Sequence, residues 1–314
     1  MTNIDFYNKK LKRYLSEFND WFSKVTFEAS ESSILDSIVG KIESDLIIGE
    51  NTKNRTYKSV DLKDAKQATS MCSINDQLIL LVDKRENRII KYNSEFKACE
   101  QVSSIEGMRL NKPSLICSDE IEYVFICNSN GTEIIITDLS IKKINRVLNI
   151  RNDDYFQFIK DIKFFNGLLY VLDMEASAID CYSFPFDKLN KKIRLKNDRN
   201  QCLENPISVT IAENTIAVLE DSRKIFIYNF DGDFIHKIFN ENIGFIKSLC
   251  FASNYLFMHA GEGLFICYKM RDTKEFELLF EREITSLRET SESMIFFNKR
   301  ITILLPYAKS FIFF

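Results

Sequence analysis

Along residues 56–314 the apolar residues fall into short runs, each closed by a polar residue and followed by a tight turn. The clearest is LVDKRENRIIKYN, residues 81–93. An apolar run ends at Asp83, a charged turn follows, and Arg88 opens a second run closed by Tyr92. That outline predicts two strands joined by a short polar turn. It returns with Asn128 in FICNSNGTEIIIT, Asp173 in YVLDMEASAIDCY, Glu220 in AVLEDSRKIFIY, His259 in LFMHAGEGLFICY and Leu305 in TILLPYAKSFIFF. The steps are 45, 45, 47, 39 and 46 residues. A further apolar strand precedes most marks, as in SLICS, DIKFF, ISVTI, SLCFA and SMIFF. These runs are nearly continuous rather than alternating, which suits strands covered on both faces.

A period near 45 residues, with four short strands in each unit, is the size of one propeller blade. The expected fold is all-β: a six-bladed β-propeller over residues 51–314. The segment TYKSVDL (56–62) is an orphan strand ahead of the first unit, and the sixth unit lacks an outer strand after Phe314. Pairing the two removes two exposed edges, so an N-terminal strand is expected to close the ring.

Residues 1–50 read differently. Ile4, Tyr7, Leu11, Tyr14, Phe18, Trp21 and Val25 step alternately by three and four, a heptad seam. It predicts either a homodimer contact or a helix docked on its own chain. Leu35, Ile38, Ile42 and Leu46 give a second apolar helical face up to Gly49, so a helical hairpin or short coiled coil is expected there. The polar stretch GENTKNR (49–55) marks the boundary between the two parts.

Composition narrows the function. Net charge is −3 with pI near 5.7, so no bulk basic charge points to nucleic acid or to an acidic membrane. Pro306 and Lys309 break the longest nearly apolar stretch, and MTNIDFYNKK lacks the apolar core of a secretory signal. The eight cysteines have no CxxC and no zinc-ligand spacing, and most lie inside apolar strands. The expectation is a reduced cytoplasmic protein with no membrane contact, no metal and no cofactor.

The residues LVDKRENRIIKY, with Asp83 and Arg88 five apart, resemble the hallmark of NHL repeats, and the Pro-led strands KPSLIC and NPISVT look like the start of the same repeat. A helical segment ahead of such a propeller resembles the tripartite-motif proteins that end in NHL repeats. That resemblance implies ubiquitin-ligase scaffolding, protein recognition and, in several members, RNA binding by one propeller face. No RING or B-box can be assembled from these cysteines and two histidines, so ligase activity is not expected of this chain.

The turns that follow the marks should share one face of the ring with the links between units. Candidate partner-binding residues on that face are Lys84, Arg85, Arg88, Arg223 and His259 in the turns, with Tyr155, Phe156 and Arg199 in the links. Asp83 and Arg88 also suit a structural pair. Across the six turns the basic residues are Lys84, Arg85, Arg88, Arg223, Lys224 and Lys309. The acids are Asp83, Glu86, Glu133, Asp173, Glu175, Glu220, Asp221 and Glu262. Six against eight is a mixed surface rather than a path for phosphates. The expected function is recognition of a protein partner by a scaffold that is not an enzyme. RNA binding by the same face is the alternative, and a calcium-dependent hydrolase or lyase comes third.

Overall fold

The computed structural model describes residues 39, 58–62, 64–75, 77–149, 159–186, 188–212, 215–239, 244–272, 275–283, 293–297, 300–305 and 310–313. Contacts divide the chain into units 1–56 and 57–314. In the first, Val39 is the described residue; it is helical and buried. The expected hairpin and the seam from Ile4 to Val25 lie outside the described residues. Among the described residues no helix is long and apolar enough to cross a membrane.

The second unit is a β-propeller. Five blades are antiparallel sheets of four strands, each built from one continuous stretch of chain. Blade I holds Ala68–Ile74, Leu78–Asp83, Arg88–Asn93 and Ala98–Val102. Blade II holds Leu115–Ser118, Tyr123–Asn128, Glu133–Asp138 and Ile144–Asn149. Blade III holds Ile159–Phe165, Leu168–Asp173, Ala178–Ser183 and Leu189–Arg194. Blade IV holds Pro206–Ala212, Thr215–Glu220, Lys224–Tyr228 and Phe234–Phe239. Blade V holds Ile246–Ala252, Tyr255–Ala260, Leu264–Asp272 and Glu275–Glu283.

The remaining four-stranded sheet is a composite. Ser293–Phe297, Arg300–Leu305 and Ser310–Phe313 are completed by Lys58–Asp61 from the other end of the unit. Lys58–Asp61 runs antiparallel to Ser310–Phe313 with Ser59 opposite Ile312. The expected fold, six blades behind a helical hairpin, is therefore corrected to five continuous blades and one composite sheet. Besides Val39, the helical element among the described residues is the 3-10 turn Gly261–Gly263.

In blades I to IV both faces of the sheet are covered, and this accounts for their continuous apolar runs. In the strand Leu78–Asp83, Ile79 and Leu81 pack toward the composite sheet with Leu62, Met71 and Leu304. Their neighbours Leu80 and Val82 pack toward blade II with Ile116, Val124 and Ile126. Comparable clusters join blades II and III, III and IV, and IV and V. Each fully buried aliphatic side chain contributes about 1.5–3 kcal/mol, so the core consists of the interfaces between sheets. Turn chemistry fits: Asn166–Gly167, both at positive φ, joins the first two strands of blade III as a hairpin of the Asn-Gly kind.

Candidate functional site

The links and the turns after the marks meet at one end of the ring. The Lys84 amide donates to Gln67 O at 2.9 Å, Ser129 N to Asn111 O at 2.7 Å, and Asp221 N to Asn205 O at 3.1 Å. The turns of blades I and IV also touch the next link: Lys112 N donates to Asn87 Oδ1, and Ile246 N to Ser222 O. The mark residues hold this end together. Asp83 is wholly buried and accepts from Lys66 N and Gln67 N, both at 3.0 Å, and from the Arg88 guanidinium at 3.2 Å. Asn128 Oδ1 accepts from Asn111 N at 2.8 Å, and Glu220 Oε1 from Glu204 N at 2.9 Å.

The candidate residues divide accordingly. Lys84 is half-buried and Arg85 exposed on the blade I turn, Arg199 is exposed in the link to blade IV, and Arg223 is exposed on the blade IV turn. Arg88 is a structural partner of Asp83, and also donates to Asp64 O and Gln101 Oε1. His259 does not reach the face. Register puts Ala260 opposite Ile246, as Asp83 is opposite Ala68, so the blade V mark is Ala260. His259 lies one residue earlier, fully buried, in the place of Val82 and Leu219. Tyr155 and Phe156 lie outside the described residues.

One residue that the sequence pattern did not single out stands on this face. Phe245, in the link to blade V, is 51% exposed. The Arg223 guanidinium lies 4.7 Å from its ring centroid and the Lys247 ammonium 5.6 Å. The peptide that follows it is held through both its polar atoms, with Gly261 N donating to Phe245 O at 2.7 Å and Ile246 N to Ser222 O at 2.6 Å. Cation–π contacts at exposed sites contribute about 0.5–1 kcal/mol each. An exposed ring held by two cations and two backbone bonds is preorganised for contact.

A second feature lies away from these turns. The C-terminal halves of the inner strands surround an axial cavity of about 240 Å³. One level of it is formed by Cys72, Cys117, Lys163, Thr210, Cys250 and Ile295, which sit opposite Leu80, Phe125, Tyr170, Ala217, Phe257 and Thr302. Each of these partners is three residues before its mark. The sequence carried this signal as the aligned triplets SMC, LIC, DIK, SVT, SLC and SMI, starting at Ser70, Leu115, Asp161, Ser208, Ser248 and Ser293. Lys163 Nζ is 3.0 Å from Asp161 Oδ1. Burial pulls the lysine pKa down, but the Asp161 carboxylate outweighs it and the net shift is upward, so the ammonium stays charged. Among the described residues no group of three or more His, Cys, Asp or Glu is placed to hold a metal ion.

Burial pushes the channel thiols Cys72 and Cys117 far above their ordinary value, and raises Cys127 and Cys181 to about 12. The thiolate is the reactive form. Of the eight cysteines, Cys99 and Cys202 are exposed. Maleimide at neutral pH is expected to label these two in the native chain and all eight in denaturant, read by intact mass. The folded chain retains thiol protons that the unfolded chain releases near pH 8.5–9, so stability holds below that range and falls as pH rises above it. Urea midpoints at pH 7 and pH 10 check the sign.

The fold is a β-propeller whose turn end carries mixed charge and the exposed Phe245. No family model matches the sequence, and no curated protein matches it. Among solved structures the chain is similar to Kuenenia stuttgartiensis hydrazine synthase, with TM-score 0.56 and 11% identity over 77% of this chain and 75% of that one. It is also similar to a streptogramin B lyase, with TM-score 0.54 and 9% identity over 82% of this chain and 97% of that one. At these identities the likeness shows the propeller fold alone.

Proposed function

We propose that this chain is a recognition scaffold, not an enzyme, and that it binds a protein partner through the turn face. The observation that carries the reading is Phe245, exposed and clasped by Arg223 and Lys247. Aromatic and arginine side chains dominate the binding energy of protein interfaces. Asp221 and Glu204 are exposed nearby, and Arg199 adds an exposed cation in the preceding link. This mixed surface suits a protein better than a phosphate backbone, since a strand of RNA laid across it would meet carboxylates. The NHL-like pattern of blade I extends the reading to an adaptor of the ubiquitin-ligase type, working in a reducing cytoplasmic compartment.

The test compares the full chain with a Phe245→Ala, Arg223→Glu variant as bait, with and without nuclease. A defined set of proteins retained after nuclease and lost with the variant is expected. The variant removes two exposed cation–π contacts of about 0.5–1 kcal/mol each, so its bait should stay folded and melt cooperatively, slightly below the parent. Filter binding to random single-stranded RNA at about 150 mM salt, near physiological ionic strength, supplies the opposing arm. Sub-micromolar affinity that falls steeply with salt, and is lost in the same variant, would replace the protein reading with RNA.

A further inference from the structure

The axial cavity is built with donors in excess of acceptors. Among the described residues, the Lys163 ammonium has one acceptor, Asp161 Oδ1, for its three N–H groups. Asp161 itself is saturated: its oxygens accept from Ile162 N, Lys163 Nζ, Ser208 Oγ and Val209 N, all between 2.8 and 3.0 Å. Thr210, 5% exposed, accepts from Phe251 N at 3.1 Å through Oγ1, which leaves its hydroxyl hydrogen to donate. Cys72 and Cys117 present protonated thiols at the same level. The carboxylate at the rim, Glu120, is exposed and accepts from Ser73 Oγ at 2.9 Å. Apolar groups from Phe165, Phe251 and Ile295 complete the wall.

We infer that this cavity is a binding site for a small monocarboxylate with an apolar body, its carboxylate on Lys163 and Thr210 and its body against the phenylalanines. The chemistry follows from the donors: the buried Thr210 hydroxyl and the Lys163 ammonium, 36% exposed toward the cavity, favour an occupant with acceptor oxygens. An ammonium with unused hydrogens favours a charged acceptor, because charge-assisted hydrogen bonds are roughly twice as strong as neutral ones. Asp161 beneath and Glu120 at the rim disfavour a dianion. A volume of about 240 Å³ is below the usual 300–1,000 Å³ of drug-sized pockets, so the ligand is small. The site lies away from the turns that carry Phe245, and it stands or falls separately from partner binding.

The probe is benzoate, a flat aromatic monocarboxylate, titrated into the full chain by calorimetry with benzamide as its neutral counterpart. Saturable benzoate binding with Kd at or below about 1 mM is expected, with benzamide at least about tenfold weaker. Lys163→Met should weaken benzoate at least about tenfold, while Lys163→Arg keeps most of the affinity. Cys117→Leu fills the lumen and leaves the ion pair in place; overpacking there costs about 1–3 kcal/mol, and the folded variant should have lost benzoate binding. Arg223→Glu should leave benzoate affinity unchanged, which separates this site from the turn face. Absence of saturable benzoate binding to the unmodified chain, or benzamide binding as tightly, would overturn the assignment even if both lumen variants failed to fold. Undiminished binding by a folded Cys117→Leu chain would overturn it as well.

Discussion

A chain lacking residues 1–65 is expected to be insoluble or unfolded, whereas one lacking residues 1–48 keeps a cooperative fold. Lys58–Asp61 forms four register pairs with Ser310–Phe313, and without it that strand becomes an open edge, a template for aggregation. The deletion also removes Leu62, fully buried among Met71, Leu81 and Leu304, and Ala65, whose amide donates to Leu62 O at 3.2 Å. It removes Asp64 O, which accepts from Arg88. Burial of Leu62 alone contributes about 2–3 kcal/mol, against a typical net stability of about 5–15 kcal/mol. The edge and the lost acceptor add to that. Solubility and circular-dichroism melting of the two truncations are the measurement, and a soluble, cooperative 66–314 fragment would refute ring closure by the N-terminal strand.

The blades were legible because their signal is local. A run such as LILLVD must be apolar on both faces once neighbouring sheets cover it, and the acid at its end marks the turn whether or not the partner is known. The pairing of Ser59 with Ile312 could be anticipated for a different reason, since each end of the chain left an edge that only the other could cover. His259 was misplaced because a polar residue in an apolar run looks like a mark. The true blade V mark is Ala260, which has no polar atom to reveal it, and register alone locates it. The repeat count took the three C-terminal strands with the orphan N-terminal strand as a sixth blade, where the structure has five continuous blades and a composite sheet drawn from both ends of the unit.

The candidate sites were less legible because they depend on distant pairs. Phe245 gains its character from Arg223, twenty-two residues away, and Asp161 is saturated by Ser208 and Val209 of the next blade. No periodicity encodes such contacts. The channel level is intermediate: its residues recur ten or eleven residues before the marks, so an alignment of inner strands brings out Cys72, Cys117 and Lys163. What that alignment cannot supply is which donors remain available, and the inferred ligand rests on that.

The remaining large effect belongs to the mark itself. Asp83→Asn is expected to cost about 3–5 kcal/mol, the usual loss when one partner of a buried ion pair is removed. Asp83 is fully buried and the Arg88 side chain is 19% exposed, so solvent screens this pair only weakly. The new amide would also turn a donor toward the guanidinium unless it flipped and gave up a backbone N–H. Arg88→Glu alone should be comparably harmful, because it sets two carboxylates side by side and removes the bonds to Gln101 Oε1 and Asp64 O. The two changes together should recover part of the loss. Blade II already uses that combination at the equivalent positions: Asn128 pairs with Glu133 in register, and its Nδ2 donates to Glu133 Oε1 at 2.6 Å while Oδ1 keeps the link amide of Asn111. A double-mutant cycle by urea unfolding should therefore give a favourable coupling of about 1–3 kcal/mol, within the range for contacting residues. Additive losses would mean that Asp83 acts through the amides of Lys66 and Gln67 alone, with Arg88 a bystander.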